Sequence, residues 1–207
     1  MQITNSLRSL TNSIIEDKEG LWKKDVSKIE ELKLRQKIIK KSSLSNTEKI
    51  FWLIEDCKRY GTLPFAGLAR AGFIAIEILK SLVSVHLISS EEYQIFLGGI
   101  KTVSSDMTSD LNTLSKGAFI KKYGHLRPGT YEITSSRYDD DFDSFFGSST
   151  DTQRNLKSEI FSLKLESKNR LNILLKEHGI KHDSLSLLKF IKSAIEAREY
   201  AKFIFSR

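Results

Sequence analysis

"PFAGLARAGFIAIEILKSLVSVHL", residues 64–87, is apolar on nearly every side when wound as a helix. Phe65, Leu68, Phe73, Ile76, Leu79 and Val83 fall on one face, and Ala66, Ala69, Ala71 and Ala75 place small side chains where another backbone can approach. Such a helix belongs at the buried centre of a bundle. Arg70 and Glu77 lie on one side of it, two turns apart. A charge pair on a central helix is costly unless it is partnered or reaches the rim, where an arginine can extend its head to water.

The flanking segments supply the helices that such a centre needs. Upstream, "SNTEKIFWLIEDCKRYG" (residues 45–61) pairs Ser45 with Glu48 at capping-box spacing. It continues through Ile50, Phe51, Leu53, Ile54, Cys57 and Tyr60 as one apolar face. Gly61 is expected to close that helix in a left-handed conformation and Pro64 to open the next. Residues 22–41 set Val26, Ile29, Leu32 and Ile39 among charges, as in a surface helix with a narrow stripe, and the first twenty residues read as a short helix or arm.

Downstream, residues 89–115 carry Tyr93, Phe96, Leu97, Ile100, Val103, Met107, Leu111 and Leu114 as a single helical face that Gly98 and Gly99 bend or pack closely. Residues 148–180 resume helix to about Lys176 with Gly179 as the stop. A last helix starts at Asp183 or Ser184 and runs almost to Arg207. Strand signals are confined to a short pairing around Thr130 to Thr134. The fold class predicted is all-α, a multi-helix bundle with one long ordered loop, divided into an arm (1–44) and a helical domain (45–207). The abrupt C-terminal end suggests a boundary within a longer polypeptide.

Composition agrees with a globular chain: of 207 residues, 40% are hydrophobic and 29% charged. The single Cys57 has no internal disulfide partner, which favours a reducing compartment. No secretory signal is evident at the N-terminus, and uninterrupted apolar stretches fall short of the roughly 20 residues of a membrane span. The expected location is cytoplasmic, with no membrane partner. A formal charge of +7 suits an anionic partner or simply a solvated basic surface. Lys23, Lys24, Lys28, Lys33, Lys37, Lys40 and Lys41 are interspersed with acids and present no base-reading helix, so nucleic acid is an unlikely partner.

One stretch does not read as helix: "KKYGHLRPGTYEITSSRYDDDFDSFFG", residues 121–147. Pro128 fixes one backbone angle and restricts Arg127, so Arg127-Pro128-Gly129 is a stiff turn that aims side chains. Arg127 and Arg137 offer planar forks for phosphate or carboxylate. His125 is able to donate to an anion or move a proton near neutral pH. The competing reading has the arginines pair with Glu132, Asp139, Asp140 or Asp141 and pin the loop to the bundle. Asp139, Asp140, Asp141 and Asp143 lack the spacing of a calcium loop and read better as a solvated turn, with Phe142, Phe145 and Phe146 in the core. No metal is assigned. His86, His178 and His182 fall near helix ends, where capping is their ordinary work. Arg198 lies on the apolar face of the last helix with Leu188, Ile191 and Ile195. Glu199 points about 100° away, and a bond from Arg198 to the loop would satisfy its buried approach.

Three segments, "RYGTLPFAGLARAGFIAIEILKSL", "KKYGHLRPGTYEITSSRYDDDF" and "AIEAREYAKFIFSR", together resemble the helical central region of phosphoenolpyruvate synthase-like, PEP-utilising phosphotransferases, in order over roughly residues 48–207. The resemblance implies a region lying between an ATP-grasp domain and a swivelling phosphohistidine domain, which are its expected partners in cis or trans. It implies acceptor recognition or domain coupling, with ATP and magnesium serving the complete enzyme, no cofactor in this chain, and no complete reaction by this chain alone. The acceptor would be an anionic or hydroxyl-bearing small molecule.

Under that resemblance Tyr123, Gly124 and His125 match the start of the family's loop, Arg127, Pro128 and Gly129 its turn, and Glu132, Arg137 and Tyr138 its exit. Arg70 matches a basic position of the preceding helix, and Arg198 with Glu199 a late arginine-glutamate motif. The implied roles are His125 and Glu132 in proton handling and Arg70, Arg127, Arg137, Tyr138 and Arg198 in substrate binding. His125 is not the transferable phosphohistidine, which belongs to the swivelling domain. Ser136 departs from the proline that relatives often carry, leaving the loop exit less rigid. The alternative is a non-catalytic helical interaction module.

Overall fold

The centre expected from residues 64–87 is where the chain packs most closely. The computed structural model describes residues 2–129, 132, 134–147 and 160–206. Among them the helices are α1 (Gln2–Ile15), α2 (Leu21–Lys41), α3 (Asn46–Asp56), α4 (Leu63–Ser84), α5 (Ser90–Gly98), α6 (Val103–Thr113), α7 (Lys116–Tyr123), α8 (Phe142–Phe146), α9 (Leu165–Glu177) and α10 (Ser184–Phe205). No strand occurs among the described residues, and the protein is an all-α multi-helix bundle. The suggested pairing around Thr130 to Thr134 falls largely outside them.

The chain forms two compact units: residues 1–100 with 158–205, and residues 101–157 with the last two residues. In the larger unit α4 packs against both α10 and α2. Leu68, Ala71, Ala75 and Leu79 of α4 are fully buried, as are Leu187, Ile191 and Ala194 of α10. Each large apolar side chain so enclosed stabilises the fold by about 1.5–3 kcal/mol before the entropy of ordering it is charged. The small residues set the spacing. A Cβ at Gly72 would stand 3.1 Å from Arg198 Cδ, tighter than ordinary contact, so the Arg198 side chain of α10 lies directly on the α4 backbone there.

α1 and α2, expected as an arm, contribute Ile14, Ile15, Trp22, Ile29, Leu32 and Ile39 to the same core. The α2–α3 pairing carries a charge the sequence reading did not single out. Asp56 is 2% exposed and its Oδ2 lies 2.8 Å from Arg35 Nε, although off the line of a hydrogen bond. The Arg35 guanidinium also covers the Tyr60 ring at 4.9 Å.

Gly61 does not end the helix. Cys57–Thr62 form a π-helical segment, Gly61 has no positive φ, and α3 and α4 join into one continuous helix, Asn46–Ser84, of 39 residues. Pro64 has no N–H to give and its ring would crowd the Tyr60 carbonyl in a regular α-turn, and the wider π turn just ahead of it absorbs this. Because the interruption vanishes, this helix is long and apolar enough by length and composition to cross a membrane, contrary to the reading from its shorter pieces. Its α4 half is nevertheless packed in the core.

The paired glycines do break a helix rather than bend it: α5 ends at Gly98, and α6 starts afresh at Thr102, whose hydroxyl accepts from Ser105 N at 3.2 Å. The capping box at Ser45 and Glu48 is formed. Residues 160–164 are not helical, so α9 starts later than expected, and residues 148–159 lie outside the described residues. Gly179 follows α9 at φ +65°, the left-handed stop its position suggested. Asp183 Oδ1 caps α10 by accepting from Leu185 N at 2.9 Å and Ser186 N at 2.7 Å.

Gly72→Leu forces α4 and α10 apart and is expected to lower unfolding free energy by about 1–3 kcal/mol in urea titration, the usual cost of overpacking. Arg35→Ala strands the buried Asp56 carboxylate and is expected to cost about 3 kcal/mol, whereas the double variant Arg35→Ala/Asp56→Leu recovers most of that loss in the same measurement.

Candidate functional site

The loop after α7 is built on an aromatic floor. Phe119, almost fully buried, meets Tyr123, Phe142 and Phe146 at ring-centroid distances of 5.0, 5.7 and 5.2 Å. Tyr138 stands edge-on to Phe145 at 5.2 Å and Phe146 at 4.9 Å. Phe142 and Phe146 are only half-buried and Phe145 is exposed, so the expectation of all three in the core is not met: they pack on the buried Phe119 and on Tyr138 from the outside. Tyr138, expected as a substrate contact, is first a packing residue, and burial raises its hydroxyl pKa.

Backbone bonds close the loop at its neck. Tyr138 N donates to Leu126 O at 2.9 Å and Asp139 N to Gly124 O at 3.1 Å. Inside, turns follow in succession: Glu132 N to Gly129 O at 3.1 Å, Ser135 N to Glu132 O at 3.2 Å, and Asp140 N to Arg137 O at 3.1 Å. The described residues of the segment thus carry their own internal backbone bonding, closed at the neck.

The charged residues are used as braces. Arg127 Nη1 donates to Ser135 O at 2.6 Å, tying the turn to the loop exit. Arg137 pairs through Nη2 with Asp139, and its backbone N–H is accepted by Asp140 Oδ2 at 3.0 Å. Glu132 accepts from the Thr134 hydroxyl and from Thr134 N, bonds that hold its carboxyl below the usual range and make it a poorer proton acceptor than a free glutamate. Asp143 takes Lys116 Nζ at 2.7 and 2.8 Å. His125 is half-buried beside Gly124, at the neck. Each guanidinium keeps donors beyond its brace. Among the described residues Ser135 Oγ and Arg137 Nε are buried with no partner, which is unusual for groups of this polarity.

Tyr123 anchors the start of the motif. Its hydroxyl donates to Asp110 Oδ2 at 2.7 Å, and Lys122 Nζ reaches the same oxygen at 2.5 Å, joining α7 to α6. The Lys122 and Tyr123 hydrogen bonds lower the Asp110 pKa, and the bond to Asp110 raises that of Lys122. Asp110 was not singled out in the sequence; its tie to Tyr123 spans two helices, and no local spacing announces it.

The other expected site residues stand in the larger unit. Arg70 is exposed and does not face Glu77 as a partner, because Glu77 pairs with Lys80 at 2.8 Å. Arg70 instead lines a cavity of about 160 Å³ with Trp22, Lys24, Asp25, Lys28 and Gly67. Burial raises the Asp25 pKa there, and the charges of Lys28 and Arg70 oppose the rise. Arg198 turns to its own neighbour: Nε and Nη2 donate to Glu199 Oε1 at 3.0 and 2.9 Å. The 100° between their Cα positions is bridged by the length of the two side chains, which the expectation of separate directions overlooked. His182 does cap a helix end, with Nε2 2.9 Å from Ile15 O and Nδ1 3.0 Å from Ser186 Oγ. The chain matches no family model, no curated protein and no solved structure.

The Asp110 carboxylate, with its pKa below the ordinary value, lends stability that is present above that ordinary value, near pH 4, and is lost as pH falls through the lowered one. Asp110→Asn is expected to flatten this acid limb of the stability profile, read as melting temperature against pH, while changing the neutral-to-basic side only by a constant offset.

Proposed function

We propose that this chain is the helical region of a phosphoenolpyruvate synthase-like phosphotransferase, serving to hold an anionic acceptor or to couple an ATP-grasp domain with a phosphohistidine domain. The observation that carries this reading is the closed loop between Gly124 and Asp139, in which Ser135 Oγ and Arg137 Nε are buried without partners among the described residues beside two braced arginines. A phosphate or carboxylate is the chemistry that satisfies a cluster of such donors.

In this reading the residual donors of Arg127 and Arg137 orient an anionic group, and their intraloop bonds fix the direction of each fork in advance. His125 at the neck supplies a hydrogen bond or accepts a hydroxyl proton. Glu132, held by Thr134, positions the loop more than it takes protons. Tyr138 supports the floor. Arg70 and Arg198 belong to the larger unit and are substrate-binding candidates by the resemblance alone. ATP and magnesium would be brought by the partner domains, and no described residue of this chain is assigned to them. The protein would be cytoplasmic and incomplete as a catalyst by itself.

The interaction-module alternative draws on the same bonds, since Arg127 and Arg137 are both engaged within the loop. Calorimetric titration with phosphoenolpyruvate and inorganic phosphate separates the two. Arg137→Ala is expected to weaken binding at least tenfold while leaving the circular-dichroism spectrum and the melting curve near those of the parent. Variants at Arg127 and Arg137 that fold and bind both anions like the parent would end the anion-clamp reading.

A further inference from the structure

Among the described residues α3 packs chiefly against α2, apart from the π segment that continues it. Asp56 is buried, whereas Ile50, Phe51, Trp52 and Ile54 are 58%, 56%, 45% and 52% exposed. At 100° per residue Ile50, Ile54 and Phe51 fall within about one quadrant of the helix, and Trp52 stands a further 100° round, with its ring 5.3 Å from that of Phe51, edge to face. The result is a convex apolar ridge with an aromatic pair, whose neighbour α2 also exposes Leu34 and Ile38.

The charges around this ridge have one sign to spare. Lys37, Lys40 and Lys41 on the outer and C-terminal part of α2, and Lys49 on α3, enter no ion pair among the described residues. Of the nearby carboxylates Glu55 is paired with Lys58 and Arg59 and Asp56 with Arg35, which leaves Glu48, capped by the neutral Ser45, as one negative charge against four lysines. A second copy meeting this face by twofold symmetry would bring the two lysine rims together, which opposes self-association. An anionic, fluid surface accepts a convex ridge, lets lysine stems extend to its headgroups and favours Trp and Phe at its boundary.

We propose that α3 and the end of α2 form a peripheral docking surface for anionic lipid bilayers. Ile50, Phe51 and Ile54 enter the acyl boundary, Trp52 sits at the headgroup level, and Lys37, Lys40, Lys41 and Lys49 meet lipid phosphates and carboxylates. The helix lies on the surface and does not span it, because α4, which continues it, packs Leu68, Ala71, Ala75 and Leu79 into the core against α2 and α10. This departs from the expectation of no membrane partner, which rested on spans alone, and it stands independently of the phosphotransferase reading.

Co-sedimentation of the full chain with phosphatidylcholine vesicles, with and without phosphatidylserine, tests it. Binding is expected only with phosphatidylserine and is expected to weaken as salt rises. Phe51→Ser, at an exposed position that leaves the fold intact by circular dichroism, is expected to reduce partitioning about tenfold. Lys40→Glu/Lys41→Glu is expected to remove the preference for phosphatidylserine. A blue shift of tryptophan emission on binding is expected to vanish in Trp52→Phe, since Trp22 is already buried. No sedimentation with phosphatidylserine vesicles, or equal sedimentation of parent and Phe51→Ser, overturns the proposal. So does a dimer in sedimentation equilibrium that Phe51→Ser dissolves, which would assign the ridge to a second copy.

Discussion

The close approach of α4 and α10 is the constraint on which the larger unit depends. Gly72 lets the Arg198 side chain of α10 lie on the α4 backbone, Ala71 and Ala75 are fully buried beside it, and Leu68, Leu79, Leu187 and Ile191 flank them in the core. Small residues contribute little transfer energy themselves. Their effect is geometric: they bring the large side chains on either side within contact distance, where dispersion adds to burial. α2 packs against a second part of α4, leaving Phe73, expected on the buried face, 63% exposed, and the charge of Arg35 on α2 is what makes the buried Asp56 of α3 tolerable.

The smaller unit solves a different problem. It has short helices and a long connection, so its stability is drawn from ring contacts around Phe119 and from the hydrogen bonds of Tyr123 and Asp110. The loop spends its arginines holding itself in shape. A guanidinium with one donor committed to a carbonyl has its plane fixed, so bracing and ligand recognition are compatible uses of the same side chain. What the loop leaves unsatisfied, Ser135 Oγ and Arg137 Nε, is the part of its chemistry that internal bonding does not explain.

Most of the architecture was legible from periodicity. The central helix, the Ser45 cap, the Gly179 stop and the start of α10 each follow from residues within a few positions of one another. Departures came where a local signal met a longer-range one. Gly61 and Pro64 are ordinary terminators in isolation, but continuous packing on both sides of them favoured a widened turn over a break. Ile50, Phe51 and Ile54 read as a core face because periodicity reports amphipathicity and not which neighbour covers it. The candidate site residues could be named from sequence, but their arrangement could not. The bond from Arg127 to the Ser135 carbonyl and the surroundings of Arg70, Arg198 and Tyr138 depend on contacts that no spacing encodes.

The π segment at Cys57–Thr62 has a consequence for how one helix serves two surroundings. A wide turn inserts extra chain without ending the hydrogen-bonded ladder, so everything before it is rotated about the common axis relative to everything after. The two halves of the 39-residue rod therefore keep separate azimuths on a single stiff shaft. The ridge of Ile50, Phe51 and Ile54 ahead of the wide turn and the seam of Leu68, Ala71 and Ala75 beyond it are thereby free to face different directions from one uninterrupted helix.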